Sequence, residues 1–140
     1  MNIAWFCIPA HGHTNPTLGL VKALTASGHK IHYFSFEMFR EKIENAGAVF
    51  IPCDGYDFEM EDKENADRVG KDQAFAVEFL VSLTLALDEM VTEKIAEIQP
   101  DVIVADSAAD AYTPADTKQD STVTKRTESI HFVCFIRILR

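Results

Sequence analysis

The sequence contains no apolar run long enough to span a membrane and no segment organised like a signal peptide. Its first residues carry no basic stretch, and the opening apolar run is interrupted at Pro9. Cysteine is scarce: Cys7, Cys53 and Cys134 are an odd number and show no metal-ligand spacing. This usage is typical of buried, reduced thiols in a cytosolic protein. We therefore expect a cytoplasmic protein that holds no metal.

Positive charge is also in short supply. The chain has 13 Lys and Arg residues against 22 Asp and Glu residues, a formal net charge of -9. Because phosphate backbones and anionic membranes bind clustered Lys and Arg, this balance argues against nucleic-acid and membrane partners. Gly12 lacks the companion glycines of a dinucleotide-binding fingerprint, so the sequence gives no case for NAD.

The first fifty residues alternate between strand and helix patterns. A continuous apolar run at Ile3–Ile8 predicts a strand buried on both faces. Asn15 is a good N-cap and Pro16 a good first residue for a helix that ends at Gly28. The predicted strand 31–36, helix 37–46 and strand 48–51 follow, with Gly47 ending the second helix. Such alternation predicts an α/β fold: a Rossmann-like, doubly wound parallel sheet with helices on both faces.

The second half of the chain is less regular. Residues 53–70 are acidic and polar and predict a loop, a helical pattern covers Asp72–Ile98, and Val102–Ala105 predicts a fourth strand. Residues 113–129 lack an apolar period, and 130–139 could form a strand or a short helix. We therefore divide the chain into a partial, incomplete α/β domain, 1–107, and an atypical tail, 108–140, in part irregular or disordered.

A candidate acid–base pair follows from this order of strands. His11 and His13 come just after the first strand and Asp106 ends the fourth, at the edge where open α/β sheets carry their working residues. A carboxylate that faces a histidine fixes its tautomer and stabilises the imidazolium, which is a general-base arrangement. We expect Gly12 to permit a tight turn and a close approach by a ligand. Alternatively, His13 is a bystander and Asp106 caps the next segment.

The segment Ile3–Pro16, with its His-Gly-His-Thr-Asn-Pro turn, resembles the opening of family 1 glycosyltransferases, especially the bacterial macrolide glycosyltransferases. Residues Ala26–Ile31 and Glu44–Ala48 continue the similarity, and Gln99–Ser107 resembles the family's Pro-Asp segment, which ends in an Asp. The resemblance spans about residues 2 to 107. It implies the N-terminal, acceptor-binding half of a GT-B fold, in which two Rossmann-like domains face each other.

By position, the resemblance makes His13 the catalytic base and Asp106 its partner in an inverting transfer. The donor would be a nucleotide-diphosphate sugar, of the UDP-sugar type, and no metal or other cofactor is implied. The acceptor would be a small apolar molecule of macrolide or phenolic type. Phe58, Phe75 and Phe79 would contact it, although core packing explains Phe75 and Phe79 equally well.

The sequence also departs from the family. The C-terminal donor-binding domain, its His-Cys-Gly segment, and the helix and strands expected after Asp106 are all missing from it. We expect a truncated chain with little or no transferase activity alone, and whether it is an enzyme stays open. The alternatives are an acceptor-domain subunit that pairs with a separate donor-domain chain, and a non-enzymatic module that binds small molecules.

Overall fold

A computed structural model describes residues 1–53, 68, 71–106, 123–124 and 134–138. Four strands form the centre of the sheet: β1 (Asn2–Phe6), β2 (Lys30–Ser35), β3 (Val49–Pro52) and β4 (Val102–Asp106). The helices between them are α1 (His11–Ala26), α2 (Arg40–Asn45), which follows a 3₁₀ turn at Glu37–Phe39, and α3 (Gln73–Ile98). Two further strands are β5 (Val123–Thr124) and β6 (Cys134–Ile138).

The sheet has the order β3-β2-β1-β4-β6-β5. The first four strands are parallel, and β1 lies between β2 and β4. Strand β6 is antiparallel to β4 and places Cys134 opposite Asp106, while β5 pairs with β6. The predicted parallel α/β sheet is confirmed. The sequence left a strand or a short helix open for 130–139; the described residues Cys134–Ile138 form a strand, which extends the same sheet across the boundary predicted at residue 107.

Helices cover both faces of the parallel strands, as predicted. Helices α1 and α2 pack on one face around Trp5, Tyr33 and Ile43. Helix α3 covers the other face with Leu83, Leu87 and Val91. Because side chains alternate along each strand, neighbouring residues serve opposite cores. The continuous apolar strand runs of the sequence are explained by this double burial.

Helix α1 begins at His11, so the prediction of a start at Asn15 is wrong. The carbonyl of Ala10 accepts hydrogen bonds from the amides of His13 (3.0 Å) and Thr14 (2.8 Å), and these bonds form the first turn. Pro16 therefore lies inside the helix, where it removes one backbone donor without ending the helix. The tight turn predicted at Gly12 is also wrong, since this residue lies in the first helical turn and lacks a positive φ.

Helix α3 has clear signals at both ends. The Asp72 carboxylate accepts a hydrogen bond of 3.1 Å from the amide of Phe75, a typical N-cap contact. Gln99 takes the left-handed conformation at the C-cap, with φ of 47°, and Pro100 prevents continuation. Across the described part of the chain, no helix combines the length and apolarity that crossing a membrane would require.

Candidate active site

The candidate site lies where β1 and β4 end side by side. The chain leaves β1 for α1 on one face of the sheet, but it reaches β4 from α3 on the opposite face. A parallel sheet opens a crevice at such a switch point, beyond the carboxyl ends of the two strands. His13, in the first turn of α1, and Asp106, the last residue of β4, both face this position.

The structure brings His13 and Asp106 together. The imidazole Nδ1 lies 3.1 Å from Oδ2 of the carboxylate. Asp106 is only 3% exposed, whereas the His13 side chain is 47% exposed. Because the carboxylate accepts, the neutral imidazole carries its proton on Nδ1, and the lone pair is on Nε2. The ring thus has one nitrogen held by the protein and one left to accept a proton.

Two further donors converge on the same carboxylate oxygen. The amide of Ile8 donates to Oδ2 of Asp106 over 3.1 Å, and the Cys7 thiol donates to it over 3.4 Å. Both residues directly follow β1, whose last residue, Phe6, pairs with Ala105. Since a buried carboxylate is stable only when its oxygens are hydrogen-bonded, the end of β1 supports the charge of Asp106.

A buried polar cluster made of Thr14, Thr17 and Tyr33 stands behind the pair, between α1 and the sheet. The Thr17 hydroxyl donates to the carbonyl of Thr14 and lies 2.8 Å from the hydroxyl of Tyr33. Burial raises the pKa of Tyr33 well above its usual range, so the phenol stays protonated. Cys7, whose thiol donates to Asp106, belongs to the same buried core cluster as Tyr33.

On the α3 face, a small apolar cleft opens at the same edge of the sheet. Its lining combines the ends of the first three strands with the middle of α3 (Phe6, Cys7, Pro9, Phe34, Ser35, Phe36, Cys53, Leu83, Leu87 and Val91). The cleft and the His13–Asp106 pair are therefore joined by the segment that follows β1. Most of the side chains that line the cleft also belong to the buried core of the α3 face.

The structure describes two of the three aromatic residues that were predicted to contact the acceptor. Phe75 and Phe79 are partly buried near the start of α3, with ring centroids 6.4 Å apart. Phe79 packs against the core of the α3 face, and the guanidinium of Arg68 lies over the Phe75 ring at 4.0 Å. The cleft is lined by later turns of the same helix. Phe58 falls outside the described residues, and acceptor contact by all three aromatics stays a prediction.

The sequence did not predict the contacts of Cys7 and the Ile8 amide with Asp106. It also did not predict that strand-end aromatics line the cleft. The alternation of side chains beyond Phe6 was the available signal, since it turns Cys7 toward the α1 face. His11 is exposed and meets the Phe39 ring edge-on, with centroids 5.0 Å apart. Over the ranges that the structure describes, no three His, Cys, Asp or Glu side chains form a possible metal site.

Known proteins with similar sequences are glycosyltransferases. No family model matches the sequence. The chain is 34% identical over 111 residues to the demethyllactenocin mycarosyltransferase of Streptomyces fradiae, covering 75% of this chain and 24% of that protein. It is 30% identical over 108 residues to the NDP-glycosyltransferase YjiC of Bacillus subtilis strain 168, covering 77% and 27%. The chain thus spans about a quarter of the length of these relatives.

Among solved structures, the chain is similar to CalG4, the calicheamicin glycosyltransferase, with 28% identity and a TM-score of 0.51. That match covers 74% of this chain and 24% of the other. The resemblance inferred from the opening motif is therefore confirmed. Over about three quarters of its length, the chain is a homologue of the macrolide-type, family 1 glycosyltransferases, and its structural neighbours have the GT-B fold.

Proposed function

We propose that this chain supplies the acceptor side of an inverting glycosyl transfer, with His13 as the general base. The observation that carries the proposal is the hydrogen bond between His13 and the buried Asp106, which leaves Nε2 of a half-exposed imidazole available. The homology to glycosyltransferases supports the reaction class. The donor in this proposal is a nucleotide-diphosphate sugar of the UDP type.

The reaction would run in one displacement. Nε2 of His13 removes the proton from an acceptor hydroxyl as that oxygen attacks the anomeric carbon. The bond from this carbon to the diphosphate oxygen breaks, and the nucleotide diphosphate leaves with the electron pair. Asp106 keeps the Nδ1 proton in place and stabilises the imidazolium that forms. Inversion follows because attack and departure take place on opposite sides of the carbon.

The acceptor in this proposal is a small apolar molecule of macrolide or phenolic type, bound with its apolar part against the mouth of the cleft. A lining of Phe, Leu and Val side chains favours an apolar ligand, because its burial releases water from both surfaces. Phe75 and Phe79 lie on the same helix as the cleft-lining Leu83 and would extend the contact. The proposal thus puts the hydroxyl near His13 and the aglycone against α3.

The 140-residue polypeptide alone should give little or no turnover, since it spans only about a quarter of its relatives' length. The test is therefore co-expression with the donor-binding part of a relative, with product detected by mass spectrometry. Activity that depends on His13 should then appear, and His13→Ala should reduce turnover by about 10²–10⁴-fold. Asp106→Asn should also reduce turnover, because an amide favours the wrong imidazole tautomer.

His11→Ala is the matched control, since this exposed histidine lies two residues away and contacts Phe39 instead. It should leave turnover unchanged. Full activity in His13→Ala would refute the assignment of the base. The apolar cleft also favours a second candidate, a non-enzymatic binding module. Tight binding of a hydrophobic acceptor, with no turnover in any pairing and no effect of His13→Ala on affinity, would support the module instead.

A further inference from the structure

One oxygen of Asp106 accepts from three donors. His13 Nδ1 and the Ile8 amide are each 3.1 Å from Oδ2, and the Cys7 thiol is 3.4 Å from it. The Ile8 donor is a backbone group that any residue would provide. Cys7 is different, because its contact depends on the identity of a side chain. It is also 4% exposed, so its thiol is placed by packing as well as by the strand.

We infer that Cys7 is a positioning residue, which holds the Asp106 carboxylate toward His13 and so fixes the imidazole as its Nδ1–H tautomer. This inference rests on the proposed function, since the tautomer matters for catalysis only if His13 is the base. No covalent or redox step of the thiol is involved. Cys7 acts through Asp106 and need not touch substrate in this role.

The physical reason lies in the torsion of the aspartate. The carboxylate rotates about a broad, soft χ2 potential, so neighbouring groups decide which way its oxygens point. The β1–β4 register brings Cys7 alongside Asp106, one residue beyond the Phe6–Ala105 pair. The thiol and the Ile8 amide both approach Oδ2 from the end of β1, which is also where the chain turns into α1 and His13. They therefore turn Oδ2 toward the imidazole.

Core packing on the α1 face also holds the Cys7 thiol in place. Cys7 packs in the same buried core cluster as Tyr33, whose hydroxyl lies 2.8 Å from the hydroxyl of Thr17. Tyr33 is fully buried and Thr17 is 2% exposed, so the support is enclosed by the core. A chain of contacts thus leads from the α1–sheet core through Cys7 to Asp106 and His13. Rigid support of this kind keeps a reactive side chain within a narrow range of geometry.

The test is nitrogen-15 NMR of the imidazoles in the 140-residue chain, in mildly alkaline buffer where histidine is neutral. Nitrogen shifts separate the two tautomers without any need for turnover. In the parent chain, His13 should be mainly the Nδ1–H form. Cys7→Ala should lower the ratio of Nδ1–H to Nε2–H by about threefold, a modest share of the worth of a hydrogen bond to a charged group. Cys7→Ser retains a donor and should restore the ratio.

Cys53→Ala is the matched control, because Cys53 is a second buried thiol at a strand end but belongs to the α3-face core. It should leave the His13 tautomer ratio at the parent value. An unchanged ratio in Cys7→Ala, or an equal change in Cys53→Ala, would overturn the inference. Should Cys7→Ala not fold, Cys7→Val fills the space without a donor and is read in the same way.

The same spectra keep the two proposals apart. A parent chain in which His13 is mainly Nε2–H, with no difference in Asp106→Asn, would contradict the base arrangement itself. A parent chain with the Nδ1–H form, lost in Asp106→Asn but kept in Cys7→Ala, would contradict only the role of Cys7. Each pattern of results therefore counts for or against one named residue.

Discussion

Replacing Gly47 by alanine tests how tightly α1 is locked to the end of α2. Gly47 has φ of +88°, and a Cβ built on it would lie 2.9 Å from the hydroxyl oxygen of Thr25 and 3.2 Å from its Cβ. The Thr25 hydroxyl cannot simply swing away, because it donates to the carbonyl of Ala46 over 2.9 Å. The new methyl group therefore meets a side chain that is already held in place.

Two costs add up. A left-handed backbone costs a residue with a Cβ roughly 1–2 kcal/mol. Overpacking against a fixed neighbour typically adds about 1–3 kcal/mol. Gly47→Ala should therefore lower the free energy of unfolding by about 2–5 kcal/mol. Gly28 has a similar φ of +83° but nothing within 4 Å of the position that a Cβ would take, so Gly28→Ala should lose only about 1–2 kcal/mol.

Urea unfolding of the two variants and the parent chain measures both losses directly. Thr25→Ala removes the obstructing hydroxyl at the cost of its own hydrogen bonds, so the loss caused by Gly47→Ala should be smaller when it is measured in a Thr25→Ala background. Equal losses in Gly47→Ala and Gly28→Ala would refute the steric argument, because the two glycines differ mainly in what surrounds them. An equal loss from Gly47→Ala in the parent and Thr25→Ala backgrounds would refute the choice of Thr25 as the obstacle.

Two further predictions concern pH and helix capping. Burial, aided by Lys30, lowers the pKa of His32 below its usual value of 6.5, so the unfolded chain takes up this proton first. The free energy of unfolding should therefore fall as the pH drops below about 6.5. In His32→Leu the free energy of unfolding should fall less steeply. Urea midpoints that fall equally in the two chains would contradict this prediction. Asp72→Ala removes the N-cap of α3 and should cost about 1 kcal/mol, whereas Asp72→Asn should cost less. Equal melting temperatures for the two Asp72 variants would count against the cap.

The four parallel strands could be predicted from local patterns because apolar runs of this kind have few physical solutions. Continuous apolar runs such as Ile3–Ile8 require burial on both faces, and alternating helices then require a parallel sheet. Gly28 and Gly47 marked helix ends because both take positive φ. The start of α1 could not be predicted in this way, because Asn15 and Pro16 are favourable N-terminal residues wherever they occur. Backbone hydrogen bonds from the amides of His13 and Thr14 to the carbonyl of Ala10, which leave no trace in composition, decided it.

The candidate site could be predicted only in part. The proximity of His13 and Asp106 was expected because both residues come at carboxyl ends of strands that a typical doubly wound order can place side by side, and because the family resemblance pairs them. Their 3.1 Å contact and the convergence of Cys7 on the same oxygen depend on strand register. Register is set by pairing between segments about a hundred residues apart, and a single sequence does not display it.

The end of β1 serves two sites because its side chains alternate. Phe6 points into the α3-face core and lines the apolar cleft, whereas Cys7 belongs to the α1-face core and bonds to Asp106. A shift of one residue in this strand would exchange the two faces, placing an aromatic ring against the carboxylate and the Cys7 side chain in the α3-face core. The pairing of Phe6 with both Phe34 and Ala105 prevents that shift. The same register that builds the sheet thus keeps the proposed base and the proposed acceptor cleft on adjacent sides of one strand end.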